Sequence, residues 1–152
     1  MKHTHTFRTS LLMALLCLCG ADVYAQIPEL DYAPRVRTLL CYNIKNAMDD
    51  DGKMDFADVV STIQGCNADV VAIQELDSVT KRSKGLDVLR ELALLSQYYP
   101  VYGASISYGG GKYGVGILCK RKPLSWHYIP LPGAEEARVL LVAEFKHYVV
   151  AC

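Results

Sequence analysis

The sequence lacks most features that would assign it to a common zinc, membrane or nucleic-acid-binding class. It has no Cys-x-x-Cys pair, so a finger-type zinc site is not expected. Its 16 basic and 16 acidic residues balance, which gives no electrostatic argument for broad nucleic-acid binding. The run Gly109-Gly110-Gly111 precedes no helical pattern, so it does not predict a P-loop. A 51% hydrophobic content instead predicts a folded chain with a packed core.

The first 25 residues have the three regions of a secretory signal peptide. Lys2 and Arg8 make the start basic, residues 11–19 are apolar, and Ala25 stands at the cleavage position. We predict a signal peptide over residues 1–25 and an exported protein, periplasmic or extracellular, with no transmembrane anchor after cleavage. The alternatives are an N-terminal core helix or a membrane anchor. The apolar run is short for spanning a bilayer.

Four cysteines would remain after cleavage: Cys41, Cys66, Cys119 and Cys152. An even number in an exported protein is compatible with disulfides. All but Cys66 lie in apolar runs that predict strands, where a free cysteine acts as a small hydrophobic residue. Buried thiols are the preferred interpretation, and disulfides remain open.

Residues 36–75 predict a strand, a helix and a second strand. Residues 36–43 favour a strand, Asp55 is a good helix N-cap, and Gly65 is placed to end the helix. The second strand is predicted over residues 70–75. Strands joined in this way are parallel in nearly all proteins. Residues 26–35 form a lead-in, and residues 36–152 form the domain.

The two predicted strands each end on a polar residue, Asn43 and Glu75. Because parallel strands point the same way, both side chains are expected at the carboxyl edge of the sheet, where α/β proteins place their ligand crevice. A carboxylate and an amide there suit a hard divalent cation and a phosphate oxygen. The alternative is that Glu75 caps a nearby loop or pairs with Lys81 or Arg82. The pattern alone favours neither interpretation.

Residues 76–85 predict a polar loop, and apolar spacing from Leu86 to Ala93 predicts a second helix that ends near residues 98–100. Short strands are then predicted over residues 102–108, 113–120, 124–131, 138–145 and from 148 onward. The final run "YVVAC" ends inside a strand-like pattern. We therefore interpret the chain as the N-terminal portion of a domain that is truncated at its C-terminus.

Four stretches, in order, resemble the endonuclease/exonuclease/phosphatase superfamily of metal-dependent phosphoesterases. They are "LLCYNIKN", "NADVVAIQELDSVTKRS", "KYGVGILCKRKPL" and "EARVLLVAEFKHYVVAC". The first two resemble the family's asparagine and glutamate motifs, and the third resembles an internal strand that ends in a basic residue. The fourth resembles the strands that lead to the family's histidine motif. The resemblance runs from about Val36 to the last residue and so covers the N-terminal half of such a domain.

This resemblance implies an α/β protein (α+β in some schemes) with a four-layer α/β/β/α sandwich, of which this chain holds the first part. It also implies a divalent metal, Mg²⁺ or possibly Mn²⁺, at the carboxyl ends of the strands. Glu75 would correspond to the metal-binding glutamate, and Asn43 to the active-site asparagine beside metal and phosphate. Both are therefore predicted as catalytic and metal-site residues.

Three further residues are predicted substrate contacts: Arg82, Arg138 and Tyr113. A guanidinium suits phosphate geometry, but Arg82 has the alternative of a solvated surface charge. Arg138 has the alternative of pairing with Glu135 or Glu136. Tyr113 has the alternative of hairpin packing.

The predicted function is an exported, divalent-metal-dependent hydrolase of phosphoric esters, of phosphodiesterase or nuclease type. Its substrate would be a nucleic acid, a phospholipid head group or a sugar phosphate, and no stable protein partner is implied. The family's catalytic histidine and later motifs would lie beyond Cys152, so this chain is expected to be an incomplete, inactive fragment that is unstable alone. The alternative is a non-catalytic exported binding module that keeps the phosphoesterase fold.

Overall fold

A computed structural model of the chain describes residues 38–133 and 136–152. The predicted signal peptide and lead-in lie outside the described residues. In chain order the elements are β1 (Leu39–Asn43), a 3₁₀ turn (Lys45–Ala47), α1 (Phe56–Cys66), β2 (Val70–Ser78), α2 (Val88–Ser96), β3 (Tyr99–Tyr108), β4 (Gly111–Cys119), β5 (Ser125–Leu131), β6 (Arg138–Glu144) and β7 (Val149–Ala151).

The strands form two sheets. The first has the order β1-β2-β4-β3, and the second has the order β5-β6-β7. Strands β1 and β2 are parallel, as predicted for the strand–helix–strand unit, and all other pairs are antiparallel. The parallel ladder ends where Asn43 faces Gln74. The carboxyl end of β1 therefore lies beside the middle of β2.

The first sheet is covered on both faces. On one face, Val71 and Ile73 of β2 pack in a buried cluster with the apolar sides of α1 and α2. On the other face, Val70 packs with Leu141 and Ala143 of the second sheet. Helices, first sheet and second sheet thus form three successive layers, which confirms the α/β class and the predicted order of layers. Within the described residues no helix covers the outer face of the second sheet.

The helices begin near the predicted positions but end elsewhere. The Asp55 carboxylate accepts a 3.0 Å hydrogen bond from the Asp58 N–H and so caps α1. The helix passes through Gly65 and ends at Cys66, and the C-cap is Asn67, whose φ of 47° is left-handed, so the predicted stop at Gly65 is wrong. Asparagine tolerates this conformation well enough to serve as the terminating residue. Helix α2 likewise ends at Ser96, with the left-handed Gln97 as its C-cap, so β3 has begun where the helix end was predicted.

The prediction that β2 ends at Glu75 is also wrong. The strand continues to Ser78, and Leu76 and Asp77 are fully buried rather than part of a polar loop. Pairing with β4 is interrupted between Ile73 and Leu76 and then resumes. Antiparallel pairing with a strand distant in sequence therefore extends β2 beyond its polar residues.

Exposed apolar side chains run along β5, an edge strand of the second sheet. Trp126 is 48% exposed, Tyr128 54% and Ile129 47%. This part of the second sheet is uncovered within the described residues. None of the helices in the described part of the chain is long and apolar enough to cross a membrane.

The four cysteines of the described residues are all free. Cys119 is buried, as predicted, and burial raises the pKa of its thiol to about 12. Cys152 is half-buried, whereas Cys41 is exposed. The prediction of a buried thiol is wrong for Cys41 because β1 is an edge strand of its sheet. Cys66 is exposed in the last turn of α1.

These environments predict different thiol reactivities. Because the thiolate is the nucleophile, Cys66 is expected to react with a maleimide in the native protein, and Cys119 only after unfolding. Mass spectrometry of digested, labelled protein measures both rates. The pattern is contradicted if Cys119 is labelled in the native state as fast as Cys66.

Candidate active site

A bulge in β2 directs Glu75 into a cleft. Gln74 and Glu75 both stand opposite the single residue Val115 of β4, between the pairs that Ile73 and Leu76 make. Ile73 and Leu76 both lie in the cluster on the helix side of the sheet, whereas Gln74 and Glu75 both line the cleft. In a regular strand successive side chains alternate between faces. The bulge is therefore what places two consecutive polar side chains on the same side.

Glu75 has a strained backbone at this bulge. Its φ is 61°, in the left-handed region that residues other than glycine rarely adopt. Such a conformation costs on the order of 1–3 kcal/mol and is found mainly at functional sites, where the surrounding structure enforces it. The strain marks Glu75 as a residue whose orientation the fold specifies.

Asn43 and Glu75 meet as the sequence predicts. The Asn43 Nδ2 donates a 2.7 Å hydrogen bond to Glu75 Oε1. The amide is also fixed at its other end, because Asn43 Oδ1 accepts a 3.0 Å hydrogen bond from the Lys45 N–H. No ion pair to Glu75 occurs within residues 38–133 and 136–152, so the alternative pairing with Lys81 or Arg82 is not observed. The second carboxylate oxygen, Oε2, accepts no hydrogen bond from any described residue.

The cleft in front of Glu75 has a volume of about 450 Å³ and is lined by residues of both sheets. Four of the five predicted site residues line it: Asn43, Glu75, Tyr113 and Arg138. Sequence reasoning missed four polar lining residues, Gln74, Ser105, Glu136 and Cys152. Ser105 lies at a register shift in β3, and its Oγ donates to the Tyr113 carbonyl at 3.1 Å. No turn residue or motif in the sequence marks that position.

Tyr113 and Arg138 both line the cleft, but Tyr113 is partly buried whereas the Arg138 side chain is exposed. Burial, and then the Glu75 carboxylate, raise the pKa of Tyr113, so its hydroxyl is a neutral hydrogen-bond donor at neutral pH. Arg138 makes only an exposed ion pair, with Nη2 3.5 Å from Glu136 Oε2. Exposed pairs of this kind contribute little. The guanidinium is therefore free to turn toward an anion in the cleft.

Arg82 does not line the cleft. Its Nε and Nη2 donate 2.8 Å hydrogen bonds to the two oxygens of Asp77, which is fully buried. The guanidinium carbon also lies 4.7 Å from the centroid of the Tyr108 ring. Arg82 is thus more than a solvated surface charge, and its contact with substrate stays a prediction.

The fit of a divalent metal to this site can be judged from its donor atoms. Magnesium commonly binds through one or two carboxylates and keeps water and phosphate oxygens as its other ligands. Glu75 Oε2, half-buried at a water-accessible cleft, meets that requirement. Asn43 is the weaker candidate ligand, because its oxygen already accepts the Lys45 N–H. No cluster of three or more His, Cys, Asp or Glu side chains occurs in the part of the chain that the structure describes.

Comparisons with solved structures agree with this architecture. The chain resembles an endonuclease/exonuclease/phosphatase from Beutenbergia cavernae DSM 12333, with a TM-score of 0.58 and 18% identity, over 75% of this chain and 36% of that one. It resembles an endonuclease/exonuclease/phosphatase family protein from Leptotrichia buccalis C-1013-b, with a TM-score of 0.55 and 18% identity, over 74% of this chain and 52% of that one. A third similar structure is a humanized D. rerio TDP2 carrying 14 mutations, with a TM-score of 0.52 and 16% identity, over 74% and 44% of the two chains.

The aligned part of the chain thus spans about a third to a half of the length of these solved relatives. A sequence search of curated proteins gives no significant match. The model of the Endonuclease/Exonuclease/phosphatase family matches residues 40–148, well over half of the chain, and includes Asn43, Glu75, Tyr113 and Arg138. The resemblance read from the sequence motifs is therefore confirmed, and the chain belongs to the endonuclease/exonuclease/phosphatase family.

Proposed function

We propose that this protein is an exported, divalent-metal-dependent hydrolase of phosphoric esters, of phosphodiesterase or nuclease type. Members of the family are generally hydrolases of phosphoester bonds and generally use divalent metals. The observation that carries the proposal is the position of Glu75. A strained bulge directs its carboxylate into a cleft, and Asn43 holds one of its oxygens at 2.7 Å.

Each residue of the cleft has a distinct task in this proposal. Glu75 Oε2 would hold the cation, Mg²⁺ or Mn²⁺, which when bound would supply Lewis-acid polarisation of a phosphoryl oxygen. Asn43 keeps Glu75 in one orientation through Oε1. The Tyr113 hydroxyl donates a hydrogen bond to a phosphate oxygen, and Arg138 leaves Glu136 to pair with the negative charge of the substrate.

The substrate class within phosphoric esters is the open part of the proposal. A nucleic acid, a phospholipid head group and a sugar phosphate all contain the same tetrahedral phosphate group. Each could bind to a cation on Glu75 and to Tyr113 and Arg138 in the same way. The balanced charge of the chain gives no preference for long duplex DNA. A panel with one substrate of each class, measured by kcat/KM, ranks the three.

Removal of divalent metal is expected to abolish activity. The test uses the full-length protein, including any sequence that follows Cys152, and bis(p-nitrophenyl) phosphate as a generic phosphodiester. We expect EDTA to stop release of p-nitrophenol, and excess Mg²⁺ or Mn²⁺ to restore it. Hydrolysis that persists in EDTA would contradict metal dependence. Binding of phosphate esters without turnover in either metal would support the non-catalytic binding module instead.

A further inference from the structure

We propose that Asn46, Asp77 and Arg82 are positioning residues that hold Glu75 in its left-handed bulge and thereby set the affinity of the site for its cation. The inference rests on the proposed role of Glu75 as the metal ligand. It gives a joint role to three side chains that lie behind the cleft rather than in it.

Asn46 contacts the backbone of Glu75 directly. Its amide orientation is assigned from its neighbours, with the nitrogen toward acceptors and the oxygen toward a donor. In that orientation the side-chain nitrogen donates to the Glu75 carbonyl oxygen at 2.9 Å and to Asp77 Oδ1 at 3.2 Å, and the side-chain oxygen accepts from Arg82 Nη2 at 3.1 Å. Asn46 is only 5% exposed. One buried amide thus joins the bulge to the ion pair behind it.

The turn that carries Asn46 is itself specialised. Lys45, Asn46 and Ala47 have φ values of 49°, 59° and 54°, so three consecutive residues other than glycine are left-handed. This turn follows β1 after one residue, Ile44, and brings the Asn46 side chain to the Glu75 carbonyl group of β2. A conformation that is unfavourable for each residue persists only where surrounding contacts enforce it. The contacts of the Asn46 amide contribute to that enforcement, together with the backbone hydrogen bonds of the turn.

Asp77 and Arg82 fix the other side of the bulge. The Asp77 carboxylate is fully buried and accepts 2.8 Å hydrogen bonds from Thr80 Oγ1, Arg82 Nε and Arg82 Nη2. A buried carboxylate is tolerated only when it is paired in this way. Glu75 therefore lies between two anchors: its own carbonyl is held by Asn46, and the residue two positions on is held by Arg82.

The consequence for the site follows from the bulge geometry. If Glu75 returned to an extended conformation, the alternation of the strand would turn its side chain away from Gln74 and from the 2.7 Å contact with Asn43. A metal ligand must be held within about 0.5 Å of its productive position. Loss of groups that orient a ligand typically lowers metal affinity 10- to 100-fold.

The test is the affinity of the full-length protein for Mg²⁺ alone, measured by isothermal titration calorimetry without substrate. Asn46→Gly removes the amide but keeps a residue that adopts positive φ freely. We expect a 10- to 100-fold weaker affinity, with circular dichroism like that of the unsubstituted protein. Asn67→Gly is the matched control, because Asn67 is also left-handed, with φ 47°, but it caps α1 away from the cleft. Its Mg²⁺ affinity is expected to be unchanged.

Arg82→Lys is the second variant, and it tests the positioning role if Asn46→Gly does not fold. It keeps the positive charge beside Asp77 but loses the two-pronged contact. We expect it to weaken Mg²⁺ binding in the absence of substrate. An increase in KM with unchanged Mg²⁺ affinity would make Arg82 a substrate contact and overturn its positioning role.

Glu75→Gln, titrated in parallel, separates the two proposals. If Glu75→Gln binds Mg²⁺ as tightly as the unsubstituted protein, the proposed function of Glu75 fails. If Glu75→Gln loses binding while Asn46→Gly and Arg82→Lys keep it, the site stands and the positioning inference alone is overturned.

Discussion

Glu75→Gln is expected to lower kcat/KM for a generic phosphodiester at saturating Mg²⁺ on the order of 10³-fold. The substitution keeps the size of the side chain and replaces its charged oxygen with an amide. A metal-bound phosphoryl oxygen gains several kcal/mol of charge stabilisation, and each 1.36 kcal/mol corresponds to about tenfold in rate. The hydrogen bond from Asn43 would still orient the substituted side chain at position 75, but it would not restore the lost negative charge.

The matched control for this prediction is Glu144→Gln. Glu144 is an exposed acid at the far end of β6, where it accepts a hydrogen bond from Ser125 Oγ, and it does not line the cleft. Its substitution is expected to leave kcat/KM within about twofold, because surface charges of this kind contribute little. Near-normal activity in Glu75→Gln, beside a normal control, would show that Glu75 does not hold the catalytic metal.

Gly114→Ala is expected to lower the free energy of unfolding by about 3 kcal/mol. A Cβ added at Gly114 would collide with the carbonyl oxygen of Gly103 on the paired strand β3, and both groups belong to strand backbones. No side chain can move aside to relieve such a clash. Because Gly114 also lines the cleft, the shift of β4 would disturb the bulge opposite it.

A second glycine, Gly65, provides a control for which the expected change in the free energy of unfolding has the opposite sign. Gly65 lies inside α1, and an added Cβ there would meet nothing within 4 Å. Alanine is favoured over glycine within helices, so Gly65→Ala is expected to stabilise the protein by about 0.5–1 kcal/mol. Urea unfolding of the two variants measures both changes. Equal stability of Gly114→Ala and the unsubstituted protein would contradict the close approach of β3 and β4.

The meeting of Asn43 and Glu75 could be predicted from the sequence because it depends on a local rule. A strand, a helix and a strand in succession form a parallel pair, and the polar residues that end their apolar runs then lie together. The observed 2.7 Å contact agrees with that expectation. The resemblance to the family added Arg138, and the position of Tyr113 beside the glycine turn made it a further candidate; both line the same cleft.

The bulge at Glu75 could not be predicted because distant pairing creates it. Nothing in residues 70–78 shows that β2 continues past its polar residues. The continuation depends on antiparallel partners in β4, where Gly111 lies close to the Ser78 carbonyl oxygen and Gly116 lies close to the Leu76 side chain. For the same reason the sequence did not distinguish Glu75 from Asp77 as the partner of Arg82. Only the extension of β2 buries Asp77 and brings it to that guanidinium.

Asn46 was missed for a different physical reason. Three consecutive left-handed residues are usually marked by glycine, and none is present between Asn43 and Ala47. The turn is enforced instead by its backbone hydrogen bonds and by hydrogen bonds from Asn46 to groups of β2. Contacts of this kind become visible only when both segments are placed in space.

The most direct test is a crystal structure of the full-length protein soaked with Mn²⁺, with the metal located by its anomalous scattering. We predict a peak bonded to the Glu75 carboxylate at the floor of the cleft, with the other carboxylate oxygen still hydrogen-bonded to Asn43. An ordered Mn²⁺ ion elsewhere in the protein, with Glu75 bound only to protein groups, would contradict the assignment.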